Sequence, residues 1–354
     1  MGESLLTYDA ALAWVDQATA KSRTLLLGNG FSVAYDASRF TYRALRETAS
    51  NLGYIGGLAD KFFNSLNTYD FELVIRQLLA AANALEVLDE AAHADEIAQL
   101  RAQAADLKDG LARTLAGLHP ERPGDISDAA YARVRAFIEP FGRIYSANYD
   151  LLLYWTTMHD DAGKGSHFTT ADDGFRNPDG PTAEYVVWNY LDPHAQTIYY
   201  LHGALHLYRD IDNGELQKLT WVRTGEPLIE QIRRQLAADR FPLIVAEGSS
   251  NEKLARIQTS DYLARGLRSL AAIGGSMVVF GLSMSANDAH ILKAVAASKV
   301  SRLAVSVYGD LRSDANRELI DAALHLKSRR AAGHAKVPLE VRFFDATTVP
   351  LWKI

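Results

Sequence analysis

Small and polar residues stand where several apolar stretches of this 354-residue sequence end. In chain order they are Gly28-Asn29-Gly30-Phe31-Ser32, Ala147-Asn148-Tyr149-Asp150, His202-Gly203, Glu247-Gly248-Ser249, and Gly281-Leu282-Ser283 with Asn287-Asp288. If the apolar stretches are strands of an open α/β sheet, their carboxyl ends are where a ligand binds. Together these ends predict a cleft for a polar ligand.

Asn148, Asp150 and His202 have side chains suited to acid–base or hydrogen-bonding chemistry. In an extended segment Asn148 and Asp150 point to the same side, where an amide and a carboxylate could hold a ligand amide or order a water. The alternative for this pair is an Asx cap of a helix beginning near Leu151. His202 is expected at a strand end, with a structural role as its alternative.

The turn in "LLLGNGFS", residues 25–32, ends an apolar run on Gly28 and Gly30. Such a turn lets a phosphate approach the backbone at the start of a helix, and a simple tight turn is the alternative. Val33 stands where a dinucleotide fingerprint has its third glycine, and no clear second strand ends in an acid about 20 residues further on. The full fingerprint of a dehydrogenase is therefore absent.

The elements that must position these residues alternate between strands and helices. Strands are predicted in RTLLLGNG, FGRIYSA, AEYVVWNY, QTIYYLHGALHLY, FPLIVAEG, SMVVFGLS, RLAVSVYG and PLEVRFFD, and a loop over 159–181. Helices are predicted over 8–20, in RFTYRALRETA, SDYLARGLRSLAAI and NDAHILKAVAAS, and over about 311–330. This alternation predicts a Rossmann-like α/β fold, with a mostly parallel sheet covered by helices on both faces.

Residues 59–140 differ in composition from their surroundings. They are rich in Ala and Leu, and the stretch from Phe71 has neither Gly nor Pro until Gly110. We predict an inserted module of two or more helices, which divides the chain into 1–58 and 141–354 of the Rossmann-like domain and 59–140 of the insert. The insert is expected to be a lid or packing module, or alternatively a surface for assembly.

The composition excludes several classes of function. The chain has no cysteine, which rules out thiolate zinc sites and cysteine nucleophiles, and its histidines lack a metal-binding spacing, so we expect no metal. The net charge of −6 shows no basic excess, so direct binding of nucleic acid is not expected. No apolar run approaches the ~20 residues that span a bilayer, and the N-terminus lacks a signal-peptide layout. We expect a cytoplasmic protein without a membrane partner.

The order of the motifs resembles the sirtuin-like NAD-consuming fold. "LLLGNGFS" stands where sirtuins have Gly-Ala-Gly-Ile-Ser, "ANYD" resembles their Gln-Asn-x-Asp, and "LHG" resembles their catalytic His-Gly. "FGLSMSANDAHI" looks like their Gly-x-Ser strand end on the adenosine side. The resemblance covers roughly residues 24–310 without the insert. It is closest to bacterial sirtuin-like domains of antiviral defence, which often carry "YLHG" and a Gly-x-Ser-x-x-x-x-Asp segment.

The resemblance implies a role for each matching residue. His202 would be the base, acting on water or a ribose hydroxyl, Asn148 would orient water or ribose, and Asp150 would bind the carboxamide of the nicotinamide. The residues implied in binding the rest of NAD are Gly28, Asn29, Gly30, Phe31 and Ser32 at the pyrophosphate, and Gly281, Ser283 and Asp288 at the adenosine side. Protein-deacylating sirtuins carry a four-cysteine zinc ribbon, which this chain lacks, so NAD hydrolysis is implied rather than deacylation.

From this resemblance we expect a regulated NAD+ glycohydrolase that releases nicotinamide and ADP-ribose and depletes NAD+ during bacterial anti-phage defence, as in abortive infection. NAD+ is the substrate, and a partner protein or nucleotide signal is expected to activate a homo- or hetero-oligomer. Two alternatives remain open. One is a non-catalytic sensor of NAD, ADP-ribose or another nucleotide, and the other is an ADP-ribosyltransferase.

Overall fold

The computed structural model describes residues 5–18, 20, 22–159, 171–178, 184–189, 196–210, 212–220, 224–246, 249–333 and 337–352. Its strands are β1 (Arg23–Leu27), β2 (Arg143–Ser146), β3 (Phe175–Arg176), β4 (Tyr185–Trp188), β5 (Ile198–Tyr200), β6 (Leu207–Arg209), β7 (Leu216–Leu219), β8 (Gly274–Phe280), β9 (Lys299–Val307) and β10 (Glu340–Asp345). Its helices are α1 (Tyr8–Val15), α2 (Gly30–Tyr35), α3 (Ala37–Phe40), α4 (Tyr42–Asn51), α5 (Gly57–Ser65), α6 (Phe71–Asp89), α7 (Ala94–Leu118), α8 (Asp128–Ile138), α9 (Leu152–Met158), α10 (Leu228–Ala237), α11 (Ser250–Gln258), α12 (Asp261–Ala272), α13 (Ala289–Ala297) and α14 (Asp314–Ala332).

Six strands form a parallel sheet in the order β10-β9-β8-β1-β2-β5. Counted along the chain, this is the 3-2-1-4-5-6 order of the Rossmann fold, which confirms the predicted fold class. The strand order reverses between β1 and β8. The crevice at this switch point is where open α/β sheets bind their ligands.

Both faces of the sheet are buried at its central strands β1 and β8, in which every residue after the first is buried. Successive residues of β1 alternate between two cores: Leu25 and Leu27 belong to one, and Leu26 to the other. The first core also contains Trp14 of α1 and residues of α6 to α9, whereas the second contains residues of α12, α13 and α14. The helices therefore cover the sheet on both sides, as predicted.

The helical insert lies between β1 and β2, as predicted, and its long helices α6 and α7 pack against each other. The Asp70 side chain begins α6 by accepting hydrogen bonds from the N–H groups of Glu72 and Leu73, at 2.9 and 3.2 Å. Residues at helical spacing, among them Val74, Leu78 and Ala82, then face the core. Within the described ranges, no helix is long and apolar enough to cross a membrane.

A second, antiparallel sheet of four strands, in the order β3-β4-β7-β6, differs from the prediction. One of its strands, β4, comes from the predicted strand AEYVVWNY. Another, β3, lies inside the predicted loop 159–181 and is a strand because Phe175 pairs with Trp188 of β4. The predicted strand FPLIVAEG is wrong over 241–246, where Ile244 forms only an isolated bridge to Gly203. Leu243, Val245 and Ala246 are buried, and the backbone of Leu243 and Val245 hydrogen-bonds the segment after β5. The last two residues of the predicted strand lie outside the described chain.

Candidate functional site

A cavity of about 210 Å³ lies at the carboxyl ends of β1, β2, β5 and β8. Four of the five predicted strand ends meet there, and residues of the insert form part of its wall. Its lining consists of Gly28, Asn29, Gly30, Tyr42, Leu45, Phe71, Glu72, Leu111, Leu115, Ala147, Asn148, Tyr149, Asp150, His202, Gly281, Leu282, Ser283 and Asp288. Of the fifth end, Ser249 caps α11, and Glu247 and Gly248 lie outside the described residues.

A second cavity, of about 670 Å³, lies at the carboxyl ends of β8, β9 and β10. Its walls are mostly apolar and include Val33, Leu319 and Val349, with Ser306 and Asn316 among the polar groups. The two cavities share Gly30, Gly281, Leu282 and Ser283. They therefore flank the switch point, one beside each half of the sheet.

The glycines at the end of β1 are required by a contact inside the protein. A Cβ on Gly28 would lie 2.5 Å from the Leu282 Cα, and one on Gly30 would lie 2.5 Å from the Gly281 Cα. The N–H groups of Gly28 and Gly30 donate to the carbonyls of Phe280 and Gly281, at 2.9 and 2.8 Å. These two N–H groups are thus already bonded, which differs from the expectation that they face a pyrophosphate.

Ser32 joins Asn148 to Asp150. Its hydroxyl donates to Asp150 Oδ2 at 2.5 Å and accepts from Asn148 Nδ2 at 2.9 Å. Ser32 is fully buried and does not line either cavity, so it positions the other two side chains rather than offering its hydroxyl to a phosphate. Phe31 is also core rather than cavity wall, since its ring packs against Trp352.

Asp150 combines the two roles considered from the sequence. Its Oδ1 accepts from the Leu152 N–H at 2.9 Å, which is the Asx cap at the start of α9. Burial raises the pKa of Asp150, while the hydrogen bonds from Ser32 and Leu152 oppose that rise. Both carboxylate oxygens thus have donors within the protein, although the residue lines the cavity.

The Asn148 Oδ1 atom is buried and has no hydrogen-bond partner in the part of the chain that the structure describes. The residue lines the smaller cavity, and its amide nitrogen is fixed by Ser32. A buried acceptor without a donor costs roughly 1–3 kcal/mol. An O–H or N–H of a ligand in the cavity would remove that cost.

His202 forms a pair with His290 of α13. Their Nε2 atoms are 2.9 Å apart, and His202 also hydrogen-bonds the backbone of Ala147, while His290 Nδ1 lies 3.2 Å from the Ser250 hydroxyl. Burial lowers the pKa of His202 well below its usual value, and Lys253 lowers it further. Burial likewise lowers the pKa of His290 to about 4. Both imidazoles are therefore neutral at pH 7.

Beside this pair, Lys253 of α11 bridges two carboxylates. Its Nζ lies 2.7 Å from Glu72 Oε2 and 3.0 Å from Asp288 Oδ1, and that Asp288 oxygen is 3.8 Å from His202 Nε2. Asp288 was expected at the adenosine side, but it lines the smaller cavity together with His202. Although burial opposes it, Lys253 holds the pKa of Asp288 below its usual value.

The carboxyl of Glu72 has a raised pKa. Burial raises its pKa to about 7 in spite of the attraction to Lys253. The Tyr149 hydroxyl is 2.8 Å from both Glu72 Oε1 and the Val245 carbonyl oxygen, so two acceptors surround one hydroxyl hydrogen. A proton on Glu72 would allow all three groups to be hydrogen-bonded, which agrees with the raised pKa.

His202, Asp288 and His290 also have the residue types of a metal site, with ligand atoms within 4.8 Å of one another. The fit is poor, because the two Nε2 atoms are at hydrogen-bonding distance from each other and the Lys253 ammonium already occupies Asp288 Oδ1. A cation would have to displace both contacts. We therefore describe the three residues as a hydrogen-bonded and charged cluster.

The sequence did not single out Glu72, Tyr149, Lys253 or His290 as site residues. Tyr149 and His290 lie inside the motifs "ANYD" and "NDAHI", so their position next to predicted residues was a usable signal. Glu72 and Lys253 are 181 positions apart and meet only in the tertiary structure. No local pattern marks them.

Comparison with known proteins places the chain in one family. A family described as "Domain of unknown function (DUF4917)" matches residues 25–352. No curated protein matches the chain.

Proposed function

The chain belongs to the DUF4917 family, and from the geometry of its site we propose that it is an NAD+ glycohydrolase that releases nicotinamide and ADP-ribose. The observation that carries the proposal is the unpaired, buried Asn148 Oδ1 at a cavity that also contains a neutral histidine. This cavity lies at the switch point of a Rossmann-like sheet, where dinucleotides bind in other proteins of this architecture.

The two cavities suit the two halves of a dinucleotide. The smaller one would take the nicotinamide riboside, whose pyridinium is positively charged, and the carboxylates of Glu72, Asp150 and Asp288 line it. The larger and mostly apolar cavity would take the adenosine. The pyrophosphate would then pass the shared residues, where the Ser283 side chain is exposed to both cavities.

The reaction breaks the bond between ribose C1′ and the pyridinium nitrogen. The electron pair of that bond goes to nicotinamide, which leaves as a neutral molecule and needs no general acid. Water adds to C1′ and gives up one proton to a base. Buried carboxylates beside the ribose would stabilise its developing positive charge, and Asn148 Oδ1 would accept from a ribose hydroxyl or the water.

His202 is the proposed base, acting through Nε2. A positioned base contributes roughly 10²–10⁴-fold. That nitrogen faces His290 in the present structure, so the two rings must separate when the ligand binds. Because residues of the insert form part of the wall of this cavity of about 210 Å³, we infer a resting state that a trigger opens.

The biological part of the proposal rests on the sequence resemblance. We propose a cytoplasmic effector of bacterial anti-phage defence that depletes NAD+ once a partner protein or nucleotide signal activates it, as an oligomer. The contact between His202 and His290 also favours a second candidate, a sensor that binds NAD or ADP-ribose without turning it over, because neither ring nitrogen of His202 is free in this state.

The test is NAD+ turnover by the purified protein, followed as nicotinamide and ADP-ribose by chromatography, with and without extract of phage-infected cells. His202→Ala is compared with His325→Ala, which removes an exposed histidine of α14 away from both cavities. We expect nicotinamide release by the wild type and by His325→Ala, and at least 100-fold less by His202→Ala. Tight NAD+ binding without release in any condition would favour the sensor, and release that survives His202→Ala would remove His202 from the mechanism.

A further inference from the structure

Lys253 is a lysine with no exposed surface. It lies on the first turns of α11, which begins with a capping box between Ser249 and Glu252. Lysine is almost never fully buried unless it is paired. Its ammonium must therefore have negatively charged or hydrogen-bonding partners inside the protein.

The ammonium joins two parts of the chain that are far apart in sequence. It bonds Glu72 of the helical insert at 2.7 Å and Asp288, which follows β8, at 3.0 Å. Both carboxylates line the smaller cavity, whereas Lys253 itself does not. The lysine thus stands behind the cavity wall and connects the insert to the Rossmann-like domain.

Stability alone is a weak reason for this arrangement. The cost of moving charges out of water is often as large as the attraction that buried ion pairs regain. Two carboxylates also share one lysine here, so the group of three carries a net negative charge when all are ionised. Hydrophobic residues of similar size could fill the same volume at no such cost.

We propose that Lys253 is a positioning residue that holds Glu72 and Asp288 at the cavity wall and keeps the His202–His290 pair uncharged. This role goes beyond the proposed function. Of the two experiments below, only the measurement of activity rests on that function. Lys253 touches neither cavity, and it acts through the two carboxylates and the two imidazoles.

The electrostatic part follows from the groups that face the histidines. His202 is surrounded by His290, Asp288 and Lys253, and the backbone of Ala147 accepts from it. Burial is the largest cause of the lowered pKa of both imidazoles; the Lys253 charge lowers it further, as the Lys293 charge does at His290, whereas the Asp288 charge raises it. Without Lys253, burial would still lower the pKa of both imidazoles, but the Asp288 charge would meet less opposition and would raise that pKa toward its usual value.

The first experiment needs no substrate. The titration of histidine ring protons by NMR is compared between wild type, Lys253→Met and Lys253→Arg, with assignments from single histidine substitutions. We expect Lys253→Met to raise the pKa of His202 or His290 by about one unit or more, and Lys253→Arg to leave both near their wild-type values. His119 and His206 serve as internal references, because Lys253 is not among the charges that shift them.

The second experiment uses activity. In Lys253→Met the acid limb of kcat for NAD+ should move to higher pH by about one unit, with a smaller change in KM. The double variant Glu72→Gln/Lys253→Met removes a carboxylate left without its cation, so it should regain thermal stability while its acid limb stays displaced.

Two results would overturn the inference. Unchanged histidine titrations in a folded Lys253→Met protein would leave Lys253 with a structural role only. If the acid limb of kcat for NAD+ is not shifted in the stabilised double variant, Lys253 likewise has a structural role only. If the wild type has no NAD+ turnover, the proposed function fails, and the NMR titration still decides the role of Lys253.

Discussion

The backbones of Gly30 and Gly281 are in direct contact across the switch point of the sheet. The Gly30 N–H donates to the Gly281 carbonyl at 2.8 Å, and a Cβ on either residue would lie only 2.5 or 2.6 Å from the Cα of the other, far inside van der Waals contact. Gly281 has a φ of +70°, a conformation that favours glycine. This contact forms the partition between the two cavities, so it determines where a ligand can pass from one to the other.

Gly30→Ala should destabilise the protein, because the added methyl group meets backbone rather than a side chain that can turn aside. We expect a loss of about 2 kcal/mol in the free energy of unfolding, typical of an overpacked site. Urea denaturation measures it. Gly117→Ala is the control: this exposed glycine near the end of α7 has open space at its Cβ position and should become slightly more stable. Equal effects of the two substitutions would contradict the close contact.

Asn148→Ala should abolish most turnover without unfolding the protein. It removes the unpaired Oδ1 at the cavity, and we expect kcat/KM for NAD+ to fall at least 100-fold, about 2.7 kcal/mol. Ser32→Ala removes only the hydroxyl that holds Asn148 and Asp150, so its loss should be smaller, about tenfold. A larger loss in Ser32→Ala than in Asn148→Ala would mean that the amide itself does not contact the ligand.

Ala315→Trp should weaken the binding of NAD+ selectively. Ala315 is an exposed residue of α14 at the wall of the larger cavity, so an indole fits the fold but fills the proposed adenosine position. We expect KM for NAD+ to rise about tenfold, about 1.4 kcal/mol. The matched control is a second substrate, nicotinamide mononucleotide, which lacks the adenosine and should be hydrolysed equally by both proteins. An equal rise in KM for both substrates would place the adenosine elsewhere.

His119 should make the fold sensitive to acid. It is fully buried; its Nε2 accepts from the Leu151 N–H at 3.1 Å, and burial lowers its pKa to about 4. In the unfolded chain the His119 imidazole takes up a proton near pH 6.5, whereas in the folded protein it does so only near pH 4. The free energy of unfolding is therefore unaffected by this residue above pH 6.5 and decreases as the pH drops from 6.5 toward 4. The loss is about 2 kcal/mol at pH 5 for this residue.

The measurement is the urea midpoint at pH 7 and pH 5. His119→Gln should show a smaller decrease between the two pH values than the wild type, whatever its stability at pH 7. His325→Gln, at an exposed position of α14, should keep the wild-type decrease. A decrease of the same size in His119→Gln would show that another group controls the acid sensitivity.

The alternation of apolar runs and helical patterns was enough to predict the fold class, because periodicity and turn residues are local properties. The small antiparallel sheet was missed for a different reason. Phe175 pairs with Trp188, which is not its neighbour in the sequence. Whether a short segment such as β3 becomes a strand depends on a partner strand of this kind, which the segment's own sequence does not reveal. FPLIVAEG shows the converse: it is apolar like a strand, but its neighbours offer Ile244 only a single bridge.

The sequence by itself determined the strand ends of the site. Gly28 to Ser32, Asn148, Asp150, His202 and Ser283 follow apolar runs, and the carboxyl ends of parallel strands necessarily meet at one edge of the sheet. Only the tertiary structure decided which of them face the cavity. It buried Ser32 and Phe31, turned Asp288 toward His202, and brought Lys253 to Glu72 and His290 to His202. Those contacts join residues up to 181 positions apart, and their distances follow from the packing of whole helices, which no local pattern encodes.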